Sequence, residues 1–273
     1  MELNTEERRR RRALFDSIAD VYNAGRPSYP DELFDDLLSR IEIPTGTAPE
    51  VLEIGCGTGQ ASRSLLEHGC IVTAVELGPR LAEKAQENLA AFGDRFHVIV
   101  GDFEKVQLPA ASFDLVASAS AFHWIDPTVG LPKVVDLLRP TGMLALWGMG
   151  NSRSDADNSF FDEVRAIYDE LGAPRRSDGG WRRPDGTPRE AATIEESGLY
   201  GPVEIHRYPR DITYAKDHYL QLVASHSRFQ IMPEEVRQAV TQRIGTLIDE
   251  KYDGSIVRHA IATLCVARPL PSQ

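Results

Sequence analysis

The chain is poor in the features that would tie it to a metal, an oxidising compartment or a bilayer. It has three cysteines in 273 residues, Cys56, Cys70 and Cys265. Their number is odd and no two have the short spacing of a metal-ligand pair, so reduced thiols and no metal site are expected. No apolar run is long enough to cross a membrane, and the charged N-terminus lacks the apolar stretch of a secretory signal. The cytoplasm is therefore the expected location. Excess positive charge is missing too. A net charge of −11 disfavours a broad nucleic-acid surface, whose phosphate contacts need clustered cations. The run Arg8 to Arg12 is the exception, and it reads as a solvated helix face ahead of an RNA-binding arm. Apolar residues, at 42%, suffice for one large core or a core with an appended cap.

What is present is concentrated in Val51 to Gln60, VLEIGCGTGQ. Val51 to Ile54 read as a buried strand, and Gly55, Gly57 and Gly59 permit a tight turn whose bare backbone can approach a ligand. Ala61, Leu65 and Leu66 then fall at helical spacing, with His68-Gly69 as the stop, so the turn delivers a helix N-terminus to the strand's end. In a dinucleotide-binding fingerprint the third glycine would stand at Gln60, which weakens a nicotinamide reading. The second strand, Ile71 to Glu76, ends in a carboxylate able to accept from both hydroxyls of a ribose, which points to an adenosine moiety. An ordinary strand-to-helix turn is the bland alternative.

An acidic residue followed by Gly-x-Gly-x-Gly, here Glu53, Gly55, Gly57 and Gly59, resembles the first motif of class I S-adenosylmethionine (SAM)-dependent methyltransferases of the type 11 kind. Further segments carry the same resemblance. Phe96 to Gly101 is a short strand ending in Asp102-Phe103, where the acid could accept from an adenine amino group and the ring pack on the base. Ser112 to Ser120 is a fourth strand ending in small residues, Ala119 among them, that leave room for the methionine part. Leu137 to Trp147 gives a helix end, a turn and a fifth strand. The resemblance implies SAM as cofactor, held by Glu53, Gly55, Gly57, Gly59, Glu76, Leu77, Asp102, Phe103 and Ala119. It also implies a Rossmann-like, seven-stranded, mostly parallel sheet flanked by helices, in the order 3-2-1-4-5-7-6 with the last strand antiparallel, under a helical lid.

Strand and helix patterns alternate from residue 51 to 148, as a parallel sheet requires. After Trp147 the pattern gives helices over Asp157 to Leu171 and Arg189 to Ser197, and a sixth strand over Val203 to Ile212. A helix over Pro233 to Glu250 and a last strand over Ser255 to Ala267 follow. We expect one methyltransferase domain, with a core over about 48–148 and 201–273. Its lid would comprise about 1–47 and 149–200, with Tyr214 to Gln230 a candidate to join it. Pro27 and Pro30 stiffen the connection that carries Arg26 and Tyr29. Tyr22, Arg26-Pro27 and Tyr29-Pro30 resemble the entry of small-molecule methyltransferases near the trans-aconitate group, which implies Tyr22 and Arg26 at the cofactor's methionine end.

Methyl transfer asks the protein chiefly for positioning and desolvation. A base is needed only when the acceptor atom carries a proton, and a carboxylate carries none. His123, in AFHWID beyond the fourth strand, is the candidate base, although a His-Trp pair also shapes pockets without proton transfer. Trp124 reads as packing. Tyr29, His123, Trp181, His226 and Arg228 are candidates for the acceptor pocket, and Arg26, Arg182, Arg183 or Arg228 could receive an anionic acceptor. The leading reading is methyl transfer from SAM to oxygen of a small metabolite or natural-product intermediate, a carboxylate included. N- or C-methylation, a non-catalytic SAM-binding regulator, and an RNA or protein methyltransferase are the rivals. Oligomeric state is not legible.

Overall fold

The computed structural model describes Asp16 and residues 28–151, 159–173 and 186–271. Seven strands form one sheet in the order β3-β2-β1-β4-β5-β7-β6. They are β1 (Glu50–Ile54), β2 (Ile71–Glu76), β3 (Phe96–Val100), β4 (Phe113–Ala119), β5 (Leu138–Asn151), β6 (Glu204–Ala215) and β7 (Ser255–Ala267). The pairs from β3 through β5 are parallel, and β7 runs antiparallel between β5 and β6. This is the Rossmann-like order that the resemblance implied. Helices are α1 (Asp31–Leu38), α2 (Gln60–Glu67), α3 (Pro79–Leu89), α4 (Pro127–Leu137), α5 (Ser159–Glu170), α6 (Arg189–Ser197), α7 (Lys216–Ala224), α8 (Ser227–Gln230) and α9 (Glu234–Lys251).

Successive strand residues face opposite sides of the sheet, and both sides are buried. Val51 joins one core with Leu33, Phe34 and Leu37 of α1, Leu65 and Leu66 of α2, and Ala85 and Leu89 of α3. Leu52 joins the other, with Leu131 and Val134 of α4 and Ala191 and Ile194 of α6. Leu33, Phe34 and Leu37 are each 0% exposed, a burial that contributes about 1.5–3 kcal/mol per side chain. α1 is also tied to the far sheet edge. Tyr208 of β6 donates to Asp36 Oδ2, Arg40 Nη1 donates to Asp36 Oδ1 at 2.5 Å, and His206 Nε2 lies 3.1 Å from Arg40 Nη2. These bonds hold the Asp36 carboxyl below its ordinary pKa. The lid expected over 1–47 and 149–200 is thus corrected in two places: α1 and α6 belong to the layers that flank the sheet, because their apolar faces are spent on it.

A third core stands apart and forms a cap. It joins Phe160 and Ile167 of α5, Tyr219 and Leu222 of α7, Phe229 of α8, and Val240 and Ile244 of α9 to Tyr214 and Ile256 at the ends of β6 and β7. Strand length explains its place. β5, β6 and β7 have 14, 12 and 13 residues, whereas β4 has 7 and β1 has 5. Ala119 at the end of β4 is level with Trp147, and β5 continues from there to Asn151, opposite Ala260. The β6–β7 ladder runs further, to Ala215 opposite Ser255. The long strands therefore project beyond the carboxyl ends of β1 to β4, and α5, α7 and α9 leave or rejoin them there. The helix over Pro233 to Glu250, expected in the core, is α9 and belongs to this cap. At the sheet's outer edge β6 carries Pro209, which has no N–H to offer a further strand.

Candidate functional site

The carboxyl ends of β1, β2, β3 and β4 converge where ligands of open α/β sheets bind, at the point where the chain reverses its progress across the sheet. The turn after β1 is left-handed at all three glycines, with φ of 74° at Gly55, 58° at Gly57 and 92° at Gly59. Space adds to φ at two of them, strictly at the first and more loosely at the second, where a leucine side-chain end could shift. A Cβ on Gly55 would stand 2.6 Å from Ala121 Cβ, and one on Gly59 would stand 2.8 Å from Leu89 Cδ1. Gly59 is the N-cap of α2 and supplies no side chain to it, so the first N–H groups of that helix face the turn without a side-chain cap.

Glu76 ends β2 with a carboxylate 7% exposed. Oε2 accepts from Gly57 N and Oε1 from Gly78 N, both at 2.9 Å. The group thus ties the glycine turn to the turn after β2. These bonds, with the Leu77 N–H also acting on the group, leave acceptor capacity on a carboxylate that can take about four, open to a ribose hydroxyl. Burial raises its pKa, against the pull of these N–H groups. Leu77 beside it is 38% exposed. From the N-terminal segment, Asp16 Oδ1 accepts from Arg80 N at 2.7 Å and Leu81 N at 3.1 Å, so it caps α3. No sequence pattern announced that role.

Glu53 stands elsewhere than expected. Its side chain is 1% exposed, beneath the turn rather than on a ligand face. Ser62 Oγ donates to its Oε2, while Oε1 has no hydrogen-bond partner among the described residues. Burial, with the neighbouring Glu76 charge adding to it, pushes the carboxyl up to about 7. At the end of β3, Asp102 keeps 17% of its side chain exposed, accepts from Glu104 N at 3.2 Å and lies 3.7 Å from Lys105. Phe103 is 3% exposed, in the core below α4, with Lys133 Nζ 4.9 Å from its ring centre. A ring so buried offers almost no surface to a base, and its expected stacking is withdrawn. Lys133 was missed in the sequence: it donates to Phe103 O at 2.6 Å and Val106 O at 2.5 Å, stapling the loop that bears Asp102.

Ala119, half-buried, ends β4, and Ser120 follows it. Tyr29 reaches this point from the segment before α1, its hydroxyl 3.0 Å from Ser120 Oγ and its ring edge-on to Trp147 at 6.0 Å. His123 is exposed in the short turn Phe122–Trp124, its ring 4.7 Å from that of Trp124, which is half-buried. His226 lies between α7 and α8, in the cap, with Nδ1 3.3 Å from Val223 O. Tyr22, Arg26, Trp181, Arg182 and Arg183, and the side chain of Arg228, lie outside the described residues. Among the described residues, no three His, Cys, Asp or Glu side chains gather as a metal site would need.

A bare glycine turn, a buried carboxylate with spare acceptor capacity and an accessible acid one strand over fit the nucleoside half of SAM. Comparison with known proteins agrees. Residues 52–146 match the family described as a methyltransferase domain. An uncharacterised methyltransferase of Mycobacterium tuberculosis is 30% identical over 235 residues, 86% of this chain and 85% of the relative. A malonyl-[acyl-carrier protein] O-methyltransferase of Enterobacter lignolyticus is 36% identical over 136 residues, 47% of this chain and 52% of the relative. Among solved structures, a candidate type II methyltransferase from Anaeromyxobacter dehalogenans aligns with TM-score 0.60 and 22% identity, over 89% of this chain and 96% of that one. A phosphoethanolamine N-methyltransferase of Haemonchus contortus in complex with SAM shares the fold at TM-score 0.51 and 16% identity, over 93% of this chain and 57% of that one. The chain belongs to the class I SAM-dependent methyltransferases, with SAM as its cofactor.

Proposed function

We propose that this enzyme methylates an oxygen of a small-molecule acceptor, and that the oxygen belongs to a carboxylate. The observation that carries the small-molecule reading is the cap, a separate apolar core raised on the projecting ends of β5, β6 and β7 beside the glycine turn. A cap in that place encloses an acceptor and keeps competing water away. Oxygen is favoured by the relative named for O-methylation of a malonyl group, whose available oxygen is a carboxylate. The resemblance of Tyr22 to Pro30 to the trans-aconitate group points the same way.

Bound at the turn, SAM supplies a methyl group already activated by the sulfonium charge. Glu76 would hold the ribose and Asp102 the adenine, while the turn from Gly55 to Gly59 keeps the wall bare. Holding the acceptor oxygen in line is the protein's main contribution, and good orientation alone can remove about 7–11 kcal/mol of barrier. A carboxylate has no proton to lose, so His123 would shape the pocket rather than act as a base. Mass spectrometry of a metabolite extract incubated with the enzyme and isotopically labelled SAM tests the reading. We expect a labelled methyl ester that mild alkali hydrolyses; a labelled product stable to alkali would replace the carboxylate with nitrogen, carbon or a hydroxyl.

A further inference from the structure

Ser120 has a φ of +55°, a left-handed backbone that residues with a side chain rarely adopt. Glycine would take that conformation with least strain, yet the position carries a hydroxyl. Three neighbours fix where that hydroxyl sits. Ser120 N donates to Trp147 O at 2.7 Å, Oγ lies 3.0 Å from the Tyr29 hydroxyl, and a Cβ on Gly148 would stand 3.3 Å from it. The next residue, Ala121, abuts Gly55, so the backbone that carries the hydroxyl runs beside the glycine turn, and Ser120 is half-buried.

Two hydroxyls share one hydrogen bond here, which uses one of their two protons. Either hydroxyl can donate in this bond; the phenol is the stronger proton donor and the aliphatic hydroxyl the better acceptor, and in the arrangement with Tyr29 donating the Ser120 O–H is turned to a ligand. We propose that Ser120 positions the methyl acceptor: its hydroxyl, oriented by Tyr29, donates to one oxygen of a carboxylate and leaves the other oxygen to receive the methyl group. The inference rests on the carboxylate reading above. A carboxylate and a sulfonium give a neutral ester and a neutral thioether, so no proton moves and Ser120 only orients. Tyr29 acts through Ser120, as a positioning residue.

The test compares Ser120→Gly, Ser120→Ala, Ser120→Asn and Tyr29→Phe with the parent enzyme. It reads S-adenosylhomocysteine affinity by calorimetry and the initial rate of labelled methyl transfer from SAM into a bacterial small-molecule extract. All four should bind S-adenosylhomocysteine within about threefold of the parent. Losing a hydrogen bond to an ionised oxygen should slow Ser120→Gly and Ser120→Ala by about 10–100-fold. Asparagine tolerates the left-handed backbone and offers an N–H donor, so Ser120→Asn should recover much of the rate, and Tyr29→Phe should fall between. Ser120→Gly at the parental rate would show that only the backbone conformation matters and would overturn this inference alone, as would Ser120→Asn no faster than Ser120→Ala. No transfer by the parent would overturn the carboxylate reading and the inference together.

Discussion

At Glu76 the two carboxylate oxygens each take a backbone N–H, from Gly57 and from Gly78, so one side chain both shapes the cofactor wall and faces the ribose we place there. Removing a hydrogen bond to a charged group typically costs about 1.5–3 kcal/mol. Glu76→Ala should therefore weaken S-adenosylhomocysteine binding at least about tenfold by calorimetry, and unchanged affinity in a folded variant would remove it from the ribose. Glu53 makes a different prediction. Its carboxyl is raised from 4.5 to about 7 by burial, so the folded state holds this proton where the unfolded chain has released it. Its contribution to stability is complete below pH 4.5 and is lost as pH rises through 7, a shift equivalent to about 3 kcal/mol. Glu53→Gln should flatten the fall in thermal midpoint between pH 5 and 8, and a pH profile parallel to the parent's would contradict the assignment. His123 is decided by kinetics. With a carboxylate acceptor, single-turnover transfer by His123→Gln should stay within about tenfold of the parent, whereas losing a general base costs roughly 10²–10⁴-fold.

Among the elements, the strands that build the cofactor wall could be read from residue order. Ile71–Glu76 is a strand over the residues expected, as is Ser255–Ala267, because strands covered on both faces carry apolar stretches, Ala74-Val75 in the first and Ala260 to Ala267 over most of the second. The glycine turn was legible for a similar reason, since glycine suits the positive φ at all three positions and the tight space at Gly55. The helices of the lid were not. α1 and α9 have the same kind of apolar stripe, and the stripe does not say whether a sheet or other helices will cover it. Nor could the left-handed backbone of Ser120 or the burial of Glu53 be read, because both depend on neighbours distant in sequence. Lys133 illustrates such a link, joining α4 to the loop after β3 through the carbonyls of Phe103 and Val106. Lys133→Met should lower stability by about 2 kcal/mol, and by loosening the loop that carries Asp102 it should weaken S-adenosylhomocysteine severalfold. A fall in thermal midpoint with affinity unchanged would confine the staple to folding.

At the scale of the whole molecule, the described residues form two cores on the faces of the sheet and a third in the cap. Cores so divided need not open together. Hydrogen exchange should show S-adenosylhomocysteine protecting residues 55–60, 76–78 and 101–103 strongly, with α7 and α9 of the cap gaining little until an acceptor is also bound. Equal protection throughout the chain would mean that cap and sheet form one cooperative unit. The outer border of the sheet bears on behaviour at high concentration. An open strand is a template onto which another copy can crystallise its own backbone, and the β6 border is long enough, at 12 residues, to nucleate such growth. Pro209 interrupts the row of donors near the middle of that border, with Arg207, Arg210 and Asp211 around it. The strand that helps raise the cap can therefore be long without making the enzyme prone to stack into fibres.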